Sequence, residues 1–528
     1  MRNRKLQIWL PLLFALVMIL GMLIGYRLKE NTHTAGSFFH VNKSAVQQVI
    51  DLVNLKYVDT VNIDTMEGEA MQVILNKLDP HSIYIPPVEL DEVNEDLQGN
   101  FQGIGVEYHI FHDTVNVINV LQNGPSEKAG LLAGDQFIKV EGSAVAGAHI
   151  TNDQIRKLLR GPASSKVQVT MLREGRQKEF AIKRGTIPLP SVEAAYMINK
   201  ETGFIKISKF SQTTYREFMQ ALEKLQGQGL TRLVLDLRGN GGGILQEAIE
   251  IADEFLDEDK LIVYTQGDKT RKEEYKCKRP GLFETGKLEV LMDEGSASAS
   301  EVLAGALQDW DRATIIGRRS FGKGLVQEQY DLTNGAALRL TVARYYTPSG
   351  RCIQKPYKSG GDYHQEIMER YKHGAFVNAD SNKVVNGKPF KTSKGKTVYG
   401  GGGIMPDVFV SFDTSVFSPS LSKLYLSSTL SNFIYSYYIE HKNGFKQYLS
   451  AGEFAKSFIQ DEEVWKRLVP FAIKDSIDLG HLTAAEKTIA QQRVKAMFAR
   501  QLWRNEGFYE VYNLGDPVVK KALELISQ

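Results

Sequence analysis

This sequence contains few cysteines and carries almost no net charge. Its 528 residues include two cysteines, Cys277 and Cys352, too few for a disulfide framework or a cysteine zinc site. The two could form one bridge in an exported protein or remain unpaired in a core. The 64 basic and 62 acidic residues nearly cancel, which argues against nucleic acid as a partner. No internal repeat or low-complexity run is found, which excludes repeat architectures.

The sequence has one long apolar run near its N-terminus, and such runs are rare in the rest of the chain. It extends without a charge from Ile8 to Tyr26 and follows a short basic segment. As a helix it would be about 28 Å long, close to the roughly 30 Å of a bilayer's hydrocarbon core. We therefore predict an uncleaved signal anchor over residues 1–30. The rest of the chain would lie on the extracytoplasmic, periplasmic side. A cleaved signal peptide is the alternative.

The chain is too long for a single hydrophobic core, so three or four domains are expected. Apolar residues at helical spacing predict helices from about 41 to 78. Alternating apolar residues predict a β-rich region from about 97 to 184. Strands and helices alternate from about 187 to 405, which indicates an α/β domain with a largely parallel sheet. The remainder, from about 418, has a helical pattern.

A serine-rich segment offers a candidate nucleophile. Ser296, Ser298 and Ser300 lie between a predicted strand ending near Met292 and a helix beginning near Glu301. Hydrolases often present a nucleophile at such a turn, because amides at the helix start can bind an oxyanion. However, Ser298 with Glu301 three residues later is also the pattern of a helix capping box. These residues alone leave both interpretations open, and the choice among the three serines as well.

A lysine is the candidate base, since no histidine has a recognisable partner motif. Lys323 lies between Gly322 and Gly324, after a predicted strand. Lowering a lysine pKa from about 10.4 to about 7 costs roughly 4 to 5 kcal/mol, which burial can supply. Lys323 should then be buried and lack a carboxylate partner; the alternative is a surface lysine. A phosphate-binding loop is disfavoured, because Gly324 replaces the required Ser or Thr.

Two glycine-rich segments suggest binding through backbone amides. Gly241, Gly242 and Gly243 follow a predicted strand and either bind an anion or form a tight turn. The segment Gly103-Ile104-Gly105-Val106 precedes another strand. It either binds a terminal carboxylate, with the peptide adding as a strand, or belongs to a plain β-barrel.

Taken together and in this order, the motifs resemble the C-terminal processing peptidases, or tail-specific proteases, which are serine proteases with a PDZ domain. The resemblance covers about residues 41–412. The segments that carry it are Leu78-Asp79-Pro80-His81-Ser82, Gly103-Ile104-Gly105-Val106, Ser296-Ala297-Ser298-Ala299-Ser300-Glu301, Phe321-Gly322-Lys323-Gly324-Leu325-Val326-Gln327 and Tyr345-Tyr346-Thr347-Pro348-Ser349-Gly350-Arg351.

The resemblance implies a role for each candidate site residue. Ser298 would be the nucleophile, Lys323 the general base and Gln327 the residue that orients the lysine. The backbone amide of Ala299, with that of Gly242 or Gly243, would form the oxyanion hole. In the PDZ domain, Gly103, Ile104, Gly105 and Val106 would bind the peptide. Arg160 resembles an arginine that couples the PDZ domain to the dyad in some relatives, although Pro162 departs from their usual continuation. No metal or cofactor is implied.

We therefore expect a multidomain α+β protein. The expected parts are a membrane helix (1–30), a helical region (38–88), a β-rich PDZ domain (89–186), an α/β Ser/Lys protease core (187–415) and a helical C-terminal extension (416–528). It would cleave exported proteins at flexible C-terminal tails, with the membrane and a second copy in a homodimer as further partners and no nucleic acid. The alternative is a non-catalytic protein that binds ligands or tails on the same fold.

Overall fold

The computed structural model describes residues 4–31, 44–357, 363, 365–379, 387–412, 418–458 and 461–528. They form two compact units, Met1–Lys77 and Leu78–Gln528. The first unit contains three helices: α1 (Arg4–Asn31), α2 (Ala45–Lys56) and α3 (Ile63–Leu75). Within the described part of the chain no helix combines the length and the apolar character needed to cross a membrane, so the anchor predicted for 1–30 is unsupported.

The second unit opens with a strand, a helix and a small β domain. Its elements are β1 (Ile83–Ile85), α4 (Pro87–Gln98), β2 (Asn100–Gly103), β3 (Val106–Phe111), β4 (Thr114–Val120), α5 (Pro125–Ala129), β5 (Gln136–Val140), β6 (Ser143–Ala144), α6 (Asn152–Leu159), β7 (Lys166–Arg173), β8 (Arg176–Lys183) and β9 (Gly185–Pro188). Strands β3 to β8 form one sheet in the order β3-β4-β5-β7-β8, with β6 on β5. Val167, Val169 and Met171 alternate inward along β7, as a sheet with one buried face requires.

The α/β region follows. Its elements are β10 (Val192–Met197), β11 (Thr202–Ile207), α7 (Thr214–Gln226), β12 (Arg232–Asp236), α8 (Leu245–Asp253), β13 (Leu261–Gln266), β14 (Glu273–Lys276), β15 (Lys287–Met292), α9 (Ala299–Asp309), β16 (Thr314–Gly317), β17 (Leu325–Asp331), β18 (Ala337–Tyr346), α10 (Glu366–Lys372), β19 (Pro389–Lys391), β20 (Thr397–Tyr399) and β21 (Val408–Phe409).

The central sheet of this region has the order β10-β11-β12-β15-β16-β21. Every neighbouring pair from β11 to β21 is parallel, as predicted, and β10 is antiparallel to β11. In parallel sheets the loops after the strands meet at one edge, where ligands usually bind. The loops after β12, β15 and β16 contain the glycine turn, the serines and Lys323. A second sheet, β1-β18-β13-β14 with β17 on β18, lies beside them.

The cysteines do not form the bridge that was one of the two expectations. Both Cys277 and Cys352 are free thiols, and Cys277 is buried in the main core.

The C-terminal helices are α11 (Pro419–Leu426), α12 (Thr429–Phe445), α13 (Ala451–Ser457), α14 (Asp461–Ile473), α15 (Ala484–Tyr512) and α16 (Pro517–Ser527). The first five share an aromatic core of their own, whereas α16 covers one face of the central sheet with Val518, Val519, Ala522 and Ile526. The opposite face is covered by α7, α8 and α9. The last helix thus completes the α/β core, and the predicted boundary at 415 lies outside the described residues.

Candidate active site

Ser298 lies at the turn between β15 and α9, with φ 56° and ψ −115°. Positive φ is rare for residues other than glycine and often marks strained functional turns. The hydroxyls of the neighbouring serines are used in hydrogen bonds to the backbone. Ser296 Oγ donates to Leu237 O at 2.9 Å, and Ser300 Oγ donates to Asn240 O at 2.9 Å. Within the described residues the Ser298 hydroxyl donates to no group. Of the three serines, Ser298 alone is therefore available for reaction in this part of the chain.

The glycine turn after β12 packs directly against this serine. A Cβ at Gly242 would lie 2.7 Å from Ser298 Cβ, so a side chain there would displace Ser298. The amide of Gly242 donates to Asn240 Oδ1 at 2.9 Å and is occupied. In the described structure the amides of Gly243 and Ala299 have no hydrogen-bond partner, and both residues line the cavity that contains Ser298. Of the two predicted glycines, Gly243 therefore has the unoccupied amide.

Glu301 connects the serine turn, residues 293–298 between β15 and α9, to the lysine loop, residues 318–324 between β16 and β17. Its buried carboxylate accepts hydrogen bonds from the amides of Ser298 at 2.8 Å, Gly322 at 2.8 Å and Lys323 at 2.9 Å, and from the Ser320 hydroxyl. Burial raises the pKa of Glu301 to about 7. The capping box that the sequence left open is thus present at the start of α9, and the same carboxylate also fixes the loop that carries Lys323.

Lys323 is partly buried in the same cavity as Ser298. Burial lowers the pKa of its amine, and the charge of Arg339 lowers that pKa further, against the opposing effects of Glu301 and Asp79. Its Nζ donates to Gln327 Oε1 at 3.0 Å. Among the described residues Lys323 forms no ion pair, and no hydrogen bond joins it to Ser298. A lysine base needs this combination of burial and absent carboxylate partner.

Gln327 is in turn held by a segment far away in sequence. Its Nε2 donates to the His81 carbonyl at 2.9 Å. This carbonyl is fixed by a turn in which Asp79 Oδ1 accepts from the amides of His81 at 2.8 Å and Ser82 at 2.9 Å. The residues before β1 therefore complete the site, a role that their resemblance to a family segment did not reveal.

Tyr345 and α10 hold the serine turn and the lysine loop from other sides. The buried Tyr345 hydroxyl contacts the carbonyl oxygens of Ser298, at 3.0 Å, and Lys323. Arg370 on α10 donates to the carbonyls of Ser320 at 2.7 Å and Phe321 at 2.9 Å. Neither residue was among the predicted site residues, because these contacts depend on tertiary packing and have no local sequence signal.

The predicted peptide loop, Gly103 to Val106, leads from β2 into β3, one of the two edge strands of the described PDZ sheet. Its Ile104 carbonyl accepts from the amide and hydroxyl of Ser126, at 3.0 and 2.7 Å, so the loop is held in place. Strand β3 pairs with β4 alone, and Tyr108 on β3 contacts α6 through its hydroxyl and the Asn152 carbonyl, 3.4 Å apart. An extended peptide could add to the free edge of β3.

Arg160 lies away from the dyad. Its Nη1 donates to Glu95 Oε2 on α4 at 2.7 Å, and its guanidinium lies 4.4 Å from the centre of the Phe101 ring. Among the described residues it contacts neither Ser298 nor Lys323, and it links the PDZ domain to α4.

A serine turn at the edge of a parallel sheet, a partly buried lysine in the same cavity and an attached PDZ domain are the features of a serine-type peptidase. Residues 201–361 match peptidase family S41, residues 102–183 match the PDZ domain, and residues 420–504 match a family of unknown function.

The chain is 36% identical over 313 residues to a carboxy-terminal-processing protease of Bartonella bacilliformis, covering 58% of this chain and 71% of that protein. It is 34% identical over 347 residues to a probable CtpA-like serine protease of Staphylococcus haemolyticus, covering 64% and 69%. A solved photosystem II D1 C-terminal processing protease is 26% identical, with 69% of this chain and 86% of that chain covered and a TM-score of 0.35. This chain belongs to peptidase family S41, among the carboxy-terminal processing proteases, which confirms the family resemblance.

Proposed function

We propose that the chain is an endopeptidase that cleaves exported proteins near their C-terminal tails, with Ser298 as nucleophile and Lys323 as general base. The observation that carries the proposal is that both side chains line one cavity of about 350 Å³, while the Glu301 carboxylate holds the backbone of both. Gln327 supports the assignment, because its amide oxygen orients the amine without adding a charge.

In the proposed reaction, the neutral Lys323 amine takes the hydroxyl proton of Ser298 as the oxygen attacks a peptide carbonyl. The amides of Ala299 and Gly243 stabilise the negative oxygen of the tetrahedral intermediate. The lysine then gives the proton to the leaving amine, and an acyl-enzyme remains on Ser298. Water, deprotonated by Lys323, hydrolyses that ester and restores the free hydroxyl. The chain's own groups suffice for each of these steps.

The direct test is cleavage of an unstructured C-terminal peptide by the full chain and three variants. Ser298→Ala and Lys323→Ala should each lose at least ~10³-fold in kcat, because each removes a member of the dyad. Lys269→Ala is the control, since that side chain is 95% exposed and pairs with a neighbouring aspartate at the surface. Full activity in either dyad variant would reject the mechanism. If no peptide is cleaved but tails still bind, the non-catalytic alternative holds.

Tail capture by the PDZ domain is a separate part of the proposal. The free edge of β3 beside α6 supports it. Isothermal titration of the Ser298→Ala chain with a tail peptide should show affinity at least ~10-fold weaker when the peptide's terminal carboxylate is amidated, because the loop amides then lose a charged acceptor. Equal affinity for both peptides would mean that the domain does not recognise chain ends.

We also infer, as distinct proposals, export to the extracytoplasmic side with attachment to the membrane through residues 1–30, and homodimer formation. For the dimer, α2 buries none of its residues and exposes Val46, Val49 and Leu52, which recur at helical spacing. Sedimentation equilibrium of wild type and a Val49→Glu variant tests association, since a charge on an apolar interface should yield monomers.

Alkaline extraction of cell membranes tests the attachment through residues 1–30, because an integral membrane segment resists this extraction.

A further inference from the structure

The described charged side chains that line the cavity around Ser298 are all basic. Its lining includes the apolar side chains of Leu97, Ile244, Leu245, Leu325 and Val326. The charged side chains among the lining residues are Lys323 and Arg339, and within the described ranges no carboxylate lines the cavity. Because Lys323 must be neutral to act as a base, Arg339 supplies the permanent charge of this cavity.

Arg339 has an unusual environment for a half-buried arginine. It lies on β18 opposite Gln329 of β17, and its Nη2 donates to Gln329 Oε1 at 3.1 Å. Within the described residues it forms no ion pair, whereas Arg173 and Arg318 pair with Asp135 and Glu294. A guanidinium has five N–H donors arranged to match a carboxylate, so most of its capacity remains unused.

We propose that Arg339 is a specificity-determining residue that pairs with an acidic side chain of the substrate, close to the scissile bond. The inference rests on the proposed function and names the substrate class: tails with Asp or Glu beside the cleaved peptide bond and apolar residues around it. The partner is a side chain because the terminal carboxylate is assigned to the PDZ loop. A half-buried arginine exchanges water for a carboxylate at lower cost than a fully buried one, and the resulting bidentate pair is geometrically selective.

Arg339 and Lys323 line the same cavity, and the charge of Arg339 lowers the pKa of Lys323. A neutral residue at 339 therefore shifts the pH optimum of the reaction as well. The substrate preferences of wild type and each variant must therefore be measured at the pH optimum of that protein. This separates a change in substrate preference from a change in the pKa of Lys323.

The test uses peptides that differ only in Glu, Gln or Lys at each position flanking the cleaved bond. Wild type should prefer Glu over Gln by about 10-fold in kcat/KM at one position, Arg339→Gln should lose this ratio, and Arg339→Glu should favour Lys. Arg344→Gln is the matched control, because Arg344 is an exposed arginine on the same strand that contacts Tyr357 and does not line the cavity. It should keep the wild-type ratio. No preference in wild type, or a preference unchanged in Arg339→Gln, overturns the inference.

A binding measurement separates this inference from the proposed function. Fluorescence anisotropy with C-terminally amidated peptides on the Ser298→Ala chain removes both turnover and recognition of the chain end. Tighter binding of the Glu peptide, abolished in Ser298→Ala/Arg339→Gln, supports the Arg339 assignment even if wild type cleaves nothing. Equal binding of Glu and Gln peptides rejects it, whether or not cleavage occurs.

Discussion

In the proposed reaction, Lys323 is the residue that must change its protonation state. Its folded-state pKa is lowered by burial, so the folded chain holds the lysine proton less firmly than the unfolded chain does. Burial of this lysine therefore costs stability below its unfolded pKa of about 10.4, and the cost is complete below the folded pKa. Burial of Lys323 thus lowers the stability of the folded chain and, in the proposed reaction, makes the amine a better base, a compromise that is common in active sites.

We predict that Lys323→Met abolishes peptide cleavage, by at least ~10³-fold, and raises the unfolding temperature at neutral pH. The difference in stability should shrink as the pH rises above 10, where the wild-type lysine is neutral in both states. Calorimetry across pH measures this. In wild type, kcat/KM should fall on the acid side of an apparent pKa below 10.5. A variant less stable than wild type at every pH would contradict the assignment of Lys323 as a desolvated cation.

Glu301 carries a second residue-scale prediction. Glu301→Gln replaces a double acceptor by a side chain with one oxygen and an NH2 group, which would face amide donors. We expect a loss of about 2–3 kcal/mol in unfolding free energy and at least ~10-fold in kcat. Glu486→Gln is the matched control, since Glu486 also caps a helix, with Thr483, but in the C-terminal helices. It should lower stability and leave kcat unchanged; equal kcat losses in both would deny Glu301 a special role.

The sequence was informative about the type of each site residue and less so about its neighbours. The residues alone left the choice among three serines open, and the family resemblance implied Ser298; the structure adds that the hydroxyls of Ser296 and Ser300 are used. Likewise, the sequence could not distinguish Gly242 from Gly243, because the bond to Asn240 that occupies one amide depends on the turn geometry.

At the scale of elements, α10 acts as a clamp on the lysine loop. Besides its two bonds to the loop carbonyls, Arg370 pairs with Glu366, and Glu366 Oε2 accepts from the buried Lys355 at 3.1 Å. Lys355 Nζ lies 3.8 Å from the centre of the Phe321 ring, directly after Ser320. Alternation of strands and helices predicted the parallel sheet correctly, but α10 follows the catalytic motifs and its packing against them involves residues about 50 positions apart.

We predict that Arg370→Ala lowers kcat about 10-fold at neutral pH and that part of the loss is recovered at alkaline pH. Without the clamp the lysine loop admits water, the pKa of Lys323 rises, and the amine is neutral only at higher pH. Arg370→Lys should restore part of the activity. Arg312→Ala is the control, because Arg312 also donates to two carbonyls, of Phe255 and Phe283, far from the site. An identical pH–rate profile in wild type and Arg370→Ala would exclude the clamp.

At the scale of the whole molecule, the C-terminal helices brace the PDZ domain. Strand β4 pairs with β5 only at Val115 and Asn116, so its later carbonyls are open to other donors. Gln501 Nε2 donates to Ile118 O at 3.1 Å and Arg504 Nη2 to Val120 O at 2.9 Å. A break in α15 at Trp503 and Arg504 brings these side chains to the strand. Sequence periodicity identified the helices, but it carries no information on which domain they contact.

We predict that Gln501→Ala/Arg504→Ala accelerates hydrogen exchange of the amides at 117–120 by at least ~10-fold, because the brace no longer suppresses local opening. Tail binding by the Ser298→Ala form should persist, since the β3 edge is untouched. Arg467→Ala is the control, because Arg467 pairs with Glu440 at the surface of the same helices. Unchanged exchange in the double variant would mean that the PDZ domain is fixed by other contacts.

The position of α16 on the central sheet also has a consequence for biosynthesis. The apolar face formed by Phe204, Val234, Leu291 and Ile316 is covered by residues 517–527, which leave the ribosome after every strand and every catalytic residue has been made. Until then one side of the sheet is bare, and Arg238, beside the glycine turn, lacks its partner Asp516. Completion of the central core therefore has to wait until the last helix, α16, has been synthesised and packed.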